Sequence, residues 1–194
     1  MLPGRRFPWR AALVSDGLAL APHIVTAEEA ADREALRHLV AAYGHAIDRR
    51  DYALLRLLYH DDAVDDHTPY YCGSASGYVD WLPTMMAHWQ ATMHTALSML
   101  FAIDGDRAEG EITARAWHLT ADGARQFVAW GRYADQYQRC EGVWRFARRS
   151  FILDFSEDLP APAGGDFGSE GVATGRAGPD DPVHARLRMF ARAG

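Results

Sequence analysis

The 194-residue chain contains no lysine and no asparagine, and all 20 of its basic residues are arginine. Without a lysine amine there is no Schiff-base chemistry, no pyridoxal phosphate anchored on the chain and no P-loop, which needs its phosphate lysine. Without asparagine there is no N-glycosylation acceptor and no nucleophile triad oriented by an asparagine amide. Cysteine is scarce. Cys72 and Cys140 stand far apart with no Cys-x-x-Cys spacing, which argues against a zinc site or a disulfide framework and makes a reducing cytoplasm the expected location. No run of about 18 apolar residues occurs, so no membrane span is expected. The net charge of -6 argues against a nucleic-acid surface, which needs excess positive charge to meet phosphate.

What is present is an Asp-heavy polar set: 18 Asp against 8 Glu, with nine His, eight Tyr and abundant Arg. A site built from these does acid–base chemistry or binds a metal. The 48% hydrophobic and 24% charged residues describe one ordinary globular domain with a sizeable core. Arg5 and Arg6 precede a mildly apolar stretch over 11–21 that ends in Ala19-Leu20-Ala21, similar to a signal-peptide cleavage site. Asp16 and Gly17 interrupt it, so residues 1–25 read as a disordered leader.

Residues 26–48 read as a first helix. Thr26 and Glu29 make a capping box, and Leu36, Leu39, Val40, Tyr43 and Ile47 recur at the spacing of one buried helical face. A shorter helix follows over 51–59. The segment 60–67 (HDDAVDDH) is too charged for a buried helix and suggests a short strand around Val64. Ser76 is the expected cap of a third helix running through Trp81 and Trp89 to about Thr92, with Pro83 as a possible kink. The period then changes. Residues 95–103, 108–119, 124–138 and 142–155 read as strands separated by hairpin signals, an antiparallel meander. The expectation is an α+β fold over 26–159, three N-terminal helices covering one face of a curved antiparallel sheet. Residues 160–194, rich in Pro, Gly and Asp, form an extended tail suited to packing on a neighbouring subunit.

Six features are weighed for chemistry. His94 is placed at the junction of the third helix and the first long strand, where it either caps the turn or enters a cavity. Asp48 ends the first helix, where the dipole disfavours a carboxylate and invites a cation: Arg49, Arg50 or an imidazolium. Tyr43, five residues earlier, reads from its position as a core aromatic. His118 shares a strand face with Ala114 and Ala116, leaving room for a ligand unless that face is outward. Of Arg148 and Arg149, alternation sends one inward, and an inward arginine requires a carboxylate or ligand oxygen beside it. The acidic cluster of His60, Asp61, Asp62, Asp65, Asp66 and His67 fits a solvated turn better than any metal motif.

Five segments together resemble a known group: YGHAIDRRDY (43–52), LYHDDAV (58–64), TMH (92–94), YQRCEGVWRFARR (137–149) and GRAGPDDP (175–182). The chain resembles the SnoaL-like branch of the nuclear transport factor 2-like superfamily, over roughly residues 28–190. The resemblance implies a cone-shaped α+β barrel with a sheet of four to six strands. It implies a cofactor-independent lyase with no bound metal, in which Asp48 and His94 form a catalytic dyad, and Tyr43 and Arg149 serve the same reaction. His118, Tyr133, Tyr59 and Trp89 are the expected substrate-binding residues. The substrate is then a hydrophobic, aromatic or polycyclic small molecule that loses water, or formaldehyde by retro-aldol cleavage. A non-catalytic ligand-binding or dioxygenase-subunit-like scaffold and a cofactor-free isomerase are the alternatives of the same fold. A homo-oligomer is implied, a trimer before a dimer. Departures from the relatives also matter: the acidic pocket residue of one dehydratase is Ala116 or Trp117 here, and the pocket asparagine of another has no counterpart.

Overall fold

A computed structural model describes residues 20–161 and 171–190 of the chain; most of the expected leader, and parts of the tail, lie outside the described residues. Helix α1 (Ala27–Asp48) starts as its capping residues dictate, with Thr26 Oγ1 accepting the Glu29 amide. Arg50 adopts a left-handed conformation (φ 55°) and turns the chain at once into α2 (Tyr52–Leu57), capped by Asp51. Strands β1 (Tyr59–His67) and β2 (Tyr71–Ser74) form a hairpin, followed by α3 (Ala75–Met86) and four long strands: β3 (Trp89–Asp104), β4 (Arg107–Thr120), β5 (Arg125–Cys140) and β6 (Val143–Pro160). In the tail, α4 (Pro182–Arg186) is capped by Asp181, which also pairs with Arg49 at 3.5 Å, while Gly178 donates to the Arg49 carbonyl. The described tail therefore packs against the end of its own α1.

The six strands form one open, curved sheet in the order β2-β1-β6-β5-β4-β3. The meander β3 to β6 is antiparallel throughout, as its turn signals predict; Glu141 and Gly142, both at positive φ, make the tight β5–β6 turn. The all-antiparallel expectation needs one correction. β1 pairs with β6 in parallel, because the chain reaches β1 from the helices and returns to its side only after the whole meander. Register shifts at Trp89/Ala91, Ala96/Ser98, Trp130/Gly131 and Gln136/Tyr137 interrupt these long strands and bend the sheet around the helices.

Two further boundaries differ from the sequence reading. The third helix is capped by Ser74, not Ser76, and ends at Met86. Pro83 lies inside it without a donor N–H, and β-branched and aromatic residues from Trp89 onward favour the sheet, so Trp89 and Thr92 belong to β3. The acidic segment 60–67 is strand throughout, its alternation sending Ala63 and Asp65 inward and Asp66 toward Arg148 on the other face.

The core lies between the helices and the concave sheet face. Leu36, Val40, Tyr43 and Ile47 of α1 and Tyr78, Val79 and Leu82 of α3 meet Phe101, Ile112, Tyr133, Tyr137 and Phe146 of the sheet. The opposite face exposes Met93, Leu100 and Phe155. Among the described residues no helix is long and apolar enough to cross a membrane. Where the β5–β6 register shifts, with Asp154 of β6 as the extra residue, a methyl group on Gly131 would lie 2.3 Å from the Ile152 carbonyl oxygen and 2.9 Å from the Phe151 ring. Gly131→Ala is therefore expected to cost about 2 kcal/mol or more, measured as a lower urea midpoint with an unchanged slope.

Candidate active site

The site begins where α1 meets β3. Gly44 lets the helix approach closely: a Cβ there would lie 3.2 Å from the His94 carbonyl oxygen. One turn later, Asp48 sits at the helix end opposite His94. Its Oδ1 accepts from His94 Nδ1 at 2.7 Å and from the Thr92 hydroxyl at 2.8 Å, while Oδ2 accepts from the His94 backbone N–H at 2.9 Å. Arg50 completes the mount by donating to Thr92 Oγ1 (3.1 Å) and to the Ile47 carbonyl (2.8 Å). The partner that the Asp48 carboxylate meets at the helix C-terminus is thus the imidazole of His94. Arg49 turns instead to Asp181, and Arg50 reaches Asp48 through Thr92. Burial alone would raise the Asp48 pKa, but the hydrogen bonds and charge of His94, with Thr92, lower it. Asp48 therefore stays ionised and holds Nδ1 as the donor, leaving Nε2 as the basic nitrogen.

His94 is the sixth residue of β3 and not, as the sequence suggested, at a helix–strand junction. It opens on a cavity of about 270 Å³ lined by Val40, Tyr43, Gly44, Met99, Ile112, Ala114, Tyr133 and Arg149, among others. The lining is mostly apolar and aromatic, suited to desolvating a hydrophobic ligand.

Arg149 lies on the inner face and has no solvent exposure, whereas Arg148 points to the other face. The carboxylate its burial demands is Asp135, its register partner on β5, which accepts from Nε at 2.9 Å and from Nη2 at 2.7 Å. The Tyr137 hydroxyl also donates to Asp135 (2.7 Å). The Tyr43, Tyr133 and Phe146 rings lie 4.0, 4.1 and 4.2 Å from the guanidinium carbon. Nη1 is buried without a partner. Asp135 was missed in the sequence; the signal was its inward phase on β5 opposite an arginine that had to be neutralised.

The remaining expected residues fall in two places. His118 stands beside the dyad, its ring 5.4 Å from that of His94 and 4.9 Å from Trp89. Neither His118 nor Trp89 lines the cavity, yet His118 Nδ1 and Trp89 Nε1 are both buried without partners. Burial, then the nearby charge of His94, lowers the His118 pKa to about 4, so this ring is neutral at neutral pH. Tyr59 lies deeper and donates to Asp65 (2.6 Å), whose other oxygen meets His67 Nδ1 (2.5 Å). Tyr43 does line the cavity, with its hydroxyl 3.0 Å from that of Tyr78; burial raises its pKa well above the ordinary phenol value. No group of three or more His, Cys, Asp or Glu among the described residues is arranged to hold a metal. Alternation splits the acidic cluster of β1 between two faces.

A family model for SnoaL-like domains matches residues 28–150. The chain belongs to the SnoaL-like family. This SnoaL-like domain shares its fold with solved structures at low identity. A proposed scytalone dehydratase of Novosphingobium aromaticivorans aligns at 18% identity and TM-score 0.63, over 70% of this chain and 95% of that one. A type 2 hexachlorocyclohexane dehydrochlorinase (LinA) aligns at 18% identity and TM-score 0.67, over 73% and 97%. The type 3 enzyme of Novosphingobium barchaimii gives 20% identity and TM-score 0.64, over 72% and 96%. Compared with curated protein sequences, the chain finds no match.

Two measurements test the electrostatics of this SnoaL-like site. Removing one partner of the buried pair strands the other, so Arg149→Met should cost roughly 3–5 kcal/mol in urea unfolding, and adding Asp135→Leu should restore much of it. For His118 the folded-state pKa lies below the unfolded value of 6.5. The unfolded chain therefore takes up a proton that the folded chain refuses, and stability falls as pH drops from 6.5 toward about 4. His118→Gln should flatten that part of the stability–pH curve, a difference of at most about 3 kcal/mol.

Proposed function

We propose that this chain is a cofactor-independent lyase that eliminates water or formaldehyde from a hydrophobic, aromatic or polycyclic small molecule. The observation that carries the reading is the dyad. An ionised carboxylate with three hydrogen bonds holds one nitrogen of His94, and the histidine itself lines an apolar cavity. His94 Nε2 takes the substrate proton, a general-base contribution of roughly 10²–10⁴-fold. Asp48 stabilises the imidazolium that forms and keeps the ring in place.

The other parts complete an elimination. Tyr43 keeps its proton because it is buried, so it serves as the acid for a departing oxygen. His118, expected from the sequence to bind substrate, is neutral and lies outside the cavity, so it has no imidazolium proton to give and is not assigned that role. Arg149 turns an N–H toward negative charge that develops on the substrate, where a fixed donor in a water-poor site acts strongly. Formaldehyde loss uses the same groups: His94 takes the hydroxymethyl O–H proton, the carbon–carbon bond breaks, and the electron pair moves into the rest of the substrate. With no lysine in the chain, this cleavage proceeds without an imine. The apolar residues on the outer sheet face support self-association through that face.

The test is untargeted mass spectrometry of an aromatic metabolite mixture incubated with the protein and no added cofactor. The wild type should convert a component by loss of water or of formaldehyde. Asp48→Asn and His94→Ala, both folded by circular dichroism, should lower that rate by about 10²-fold or more. Variants that keep the wild-type rate would remove the dyad from the mechanism.

A further inference from the structure

Three buried charges lie side by side across adjacent strands. Asp65 on β1 and Asp135 on β5 are the register partners of Arg149 on β6, and all three are shielded from solvent. Asp135 occupies the two-pronged Nε–Nη2 edge of the guanidinium, the edge that elsewhere grips carboxylates and phosphates bidentately. Three aromatic rings surround the guanidinium carbon at 4.0 to 4.2 Å. What is left is Nη1, buried, unpartnered, on a side chain that lines the cavity. A buried donor of this kind costs free energy until an acceptor reaches it.

The charge environment decides which acceptor fits. Arg149 is already neutralised by Asp135, and Asp65 lies next to it with no arginine of its own; its partners are Tyr59 and His67. An incoming carboxylate, sulfate or phosphate would meet a guanidinium already neutralised, beside two existing carboxylates, with its own hydration lost. An uncharged oxygen loses far less on desolvation and needs only one donor.

We propose that Asp135 is a specificity determinant: by neutralising the guanidinium, with Asp65 on its other side, it leaves Nη1 to serve an uncharged oxygen, so the cavity takes uncharged ligands with a carbonyl or phenol oxygen and rejects anions. The inference rests on the lyase reading only for its chemical consequence. In an elimination, the electron pair freed by proton removal moves onto that oxygen, which is neutral in the ground state and negative in the transition state. A donor placed there favours the transition state over the bound substrate.

Binding distinguishes the outcomes without any turnover. The probes are 2-acetylnaphthalene, 2-naphthol, methyl 2-naphthoate and 2-naphthoate, titrated calorimetrically into the full chain at neutral pH. The ester, and at least one of the ketone and the phenol, should bind roughly tenfold or more tightly than the carboxylate; which of these two does so identifies the oxygen. Asp135→Asn, which leaves a charged guanidinium without its counter-ion, should narrow or reverse that gap by raising carboxylate affinity. Arg149→Met should remove the preference among uncharged probes. If Asp135→Asn does not fold, the wild-type series alone decides. Equal or tighter binding of 2-naphthoate by the wild type overturns the proposal, and so does the absence of binding by every uncharged probe. These titrations read binding and not turnover, so failure of the dyad mechanism and failure of the specificity assignment are separable.

Discussion

A guanidinium with no exposed surface must be neutralised where it lies, and the interior of this protein is arranged around that requirement. Arg149 sits on β6 between β5 and β1, so its counter-ion must come from a neighbouring strand; Asp135 provides it, in register. Tyr137 braces the carboxylate, and Tyr43, Tyr133 and Phe146 pack against the cation. These rings are also the deep wall of the core. The pairing thus links the α1–sheet packing to the polar end of the cavity, and its loss would disturb both. A hydrophobic replacement of both partners could preserve the fold.

The second polar centre is built on a different principle. Asp48 and His94 meet at the sheet edge, where α1 ends and β3 passes beneath it, and the contact depends on a glycine that lets two backbones approach. Each oxygen of Asp48 is occupied, so the carboxylate has little freedom and the imidazole is oriented through it. The apolar cavity lies between this imidazole and Arg149; in the lyase proposed above, that placement separates proton removal from charge stabilisation.

Much of this was legible in the chain. The capping box, the heptad-like spacing of Leu36, Val40, Tyr43 and Ile47, and the turn signals of the meander are local patterns, and the structure follows them. Alternation correctly sent one of two adjacent arginines inward and demanded a carboxylate for it. The errors arose where local pattern competes with tertiary context. Residues 87–92 continue an apolar helical period, yet they leave α3 because β4 offers β3 a full ladder of partners. The acidic run of β1 reads as a solvated turn until its pairing with β6 sets which acids face inside.

Composition, periodicity and motif order were enough for the α+β class, the inward arginine, the absence of any lysine-based chemistry and the candidates Asp48 and His94. The partnerships come from the three-dimensional packing: Asp48 with a histidine 46 residues away, Arg149 with Asp135, and Asp65 beside them on a parallel strand. The physical reason is that side-chain periodicity encodes which face a residue occupies. Which residue stands opposite depends on strand order, register and bulges, set by the packing of the whole sheet against its helices.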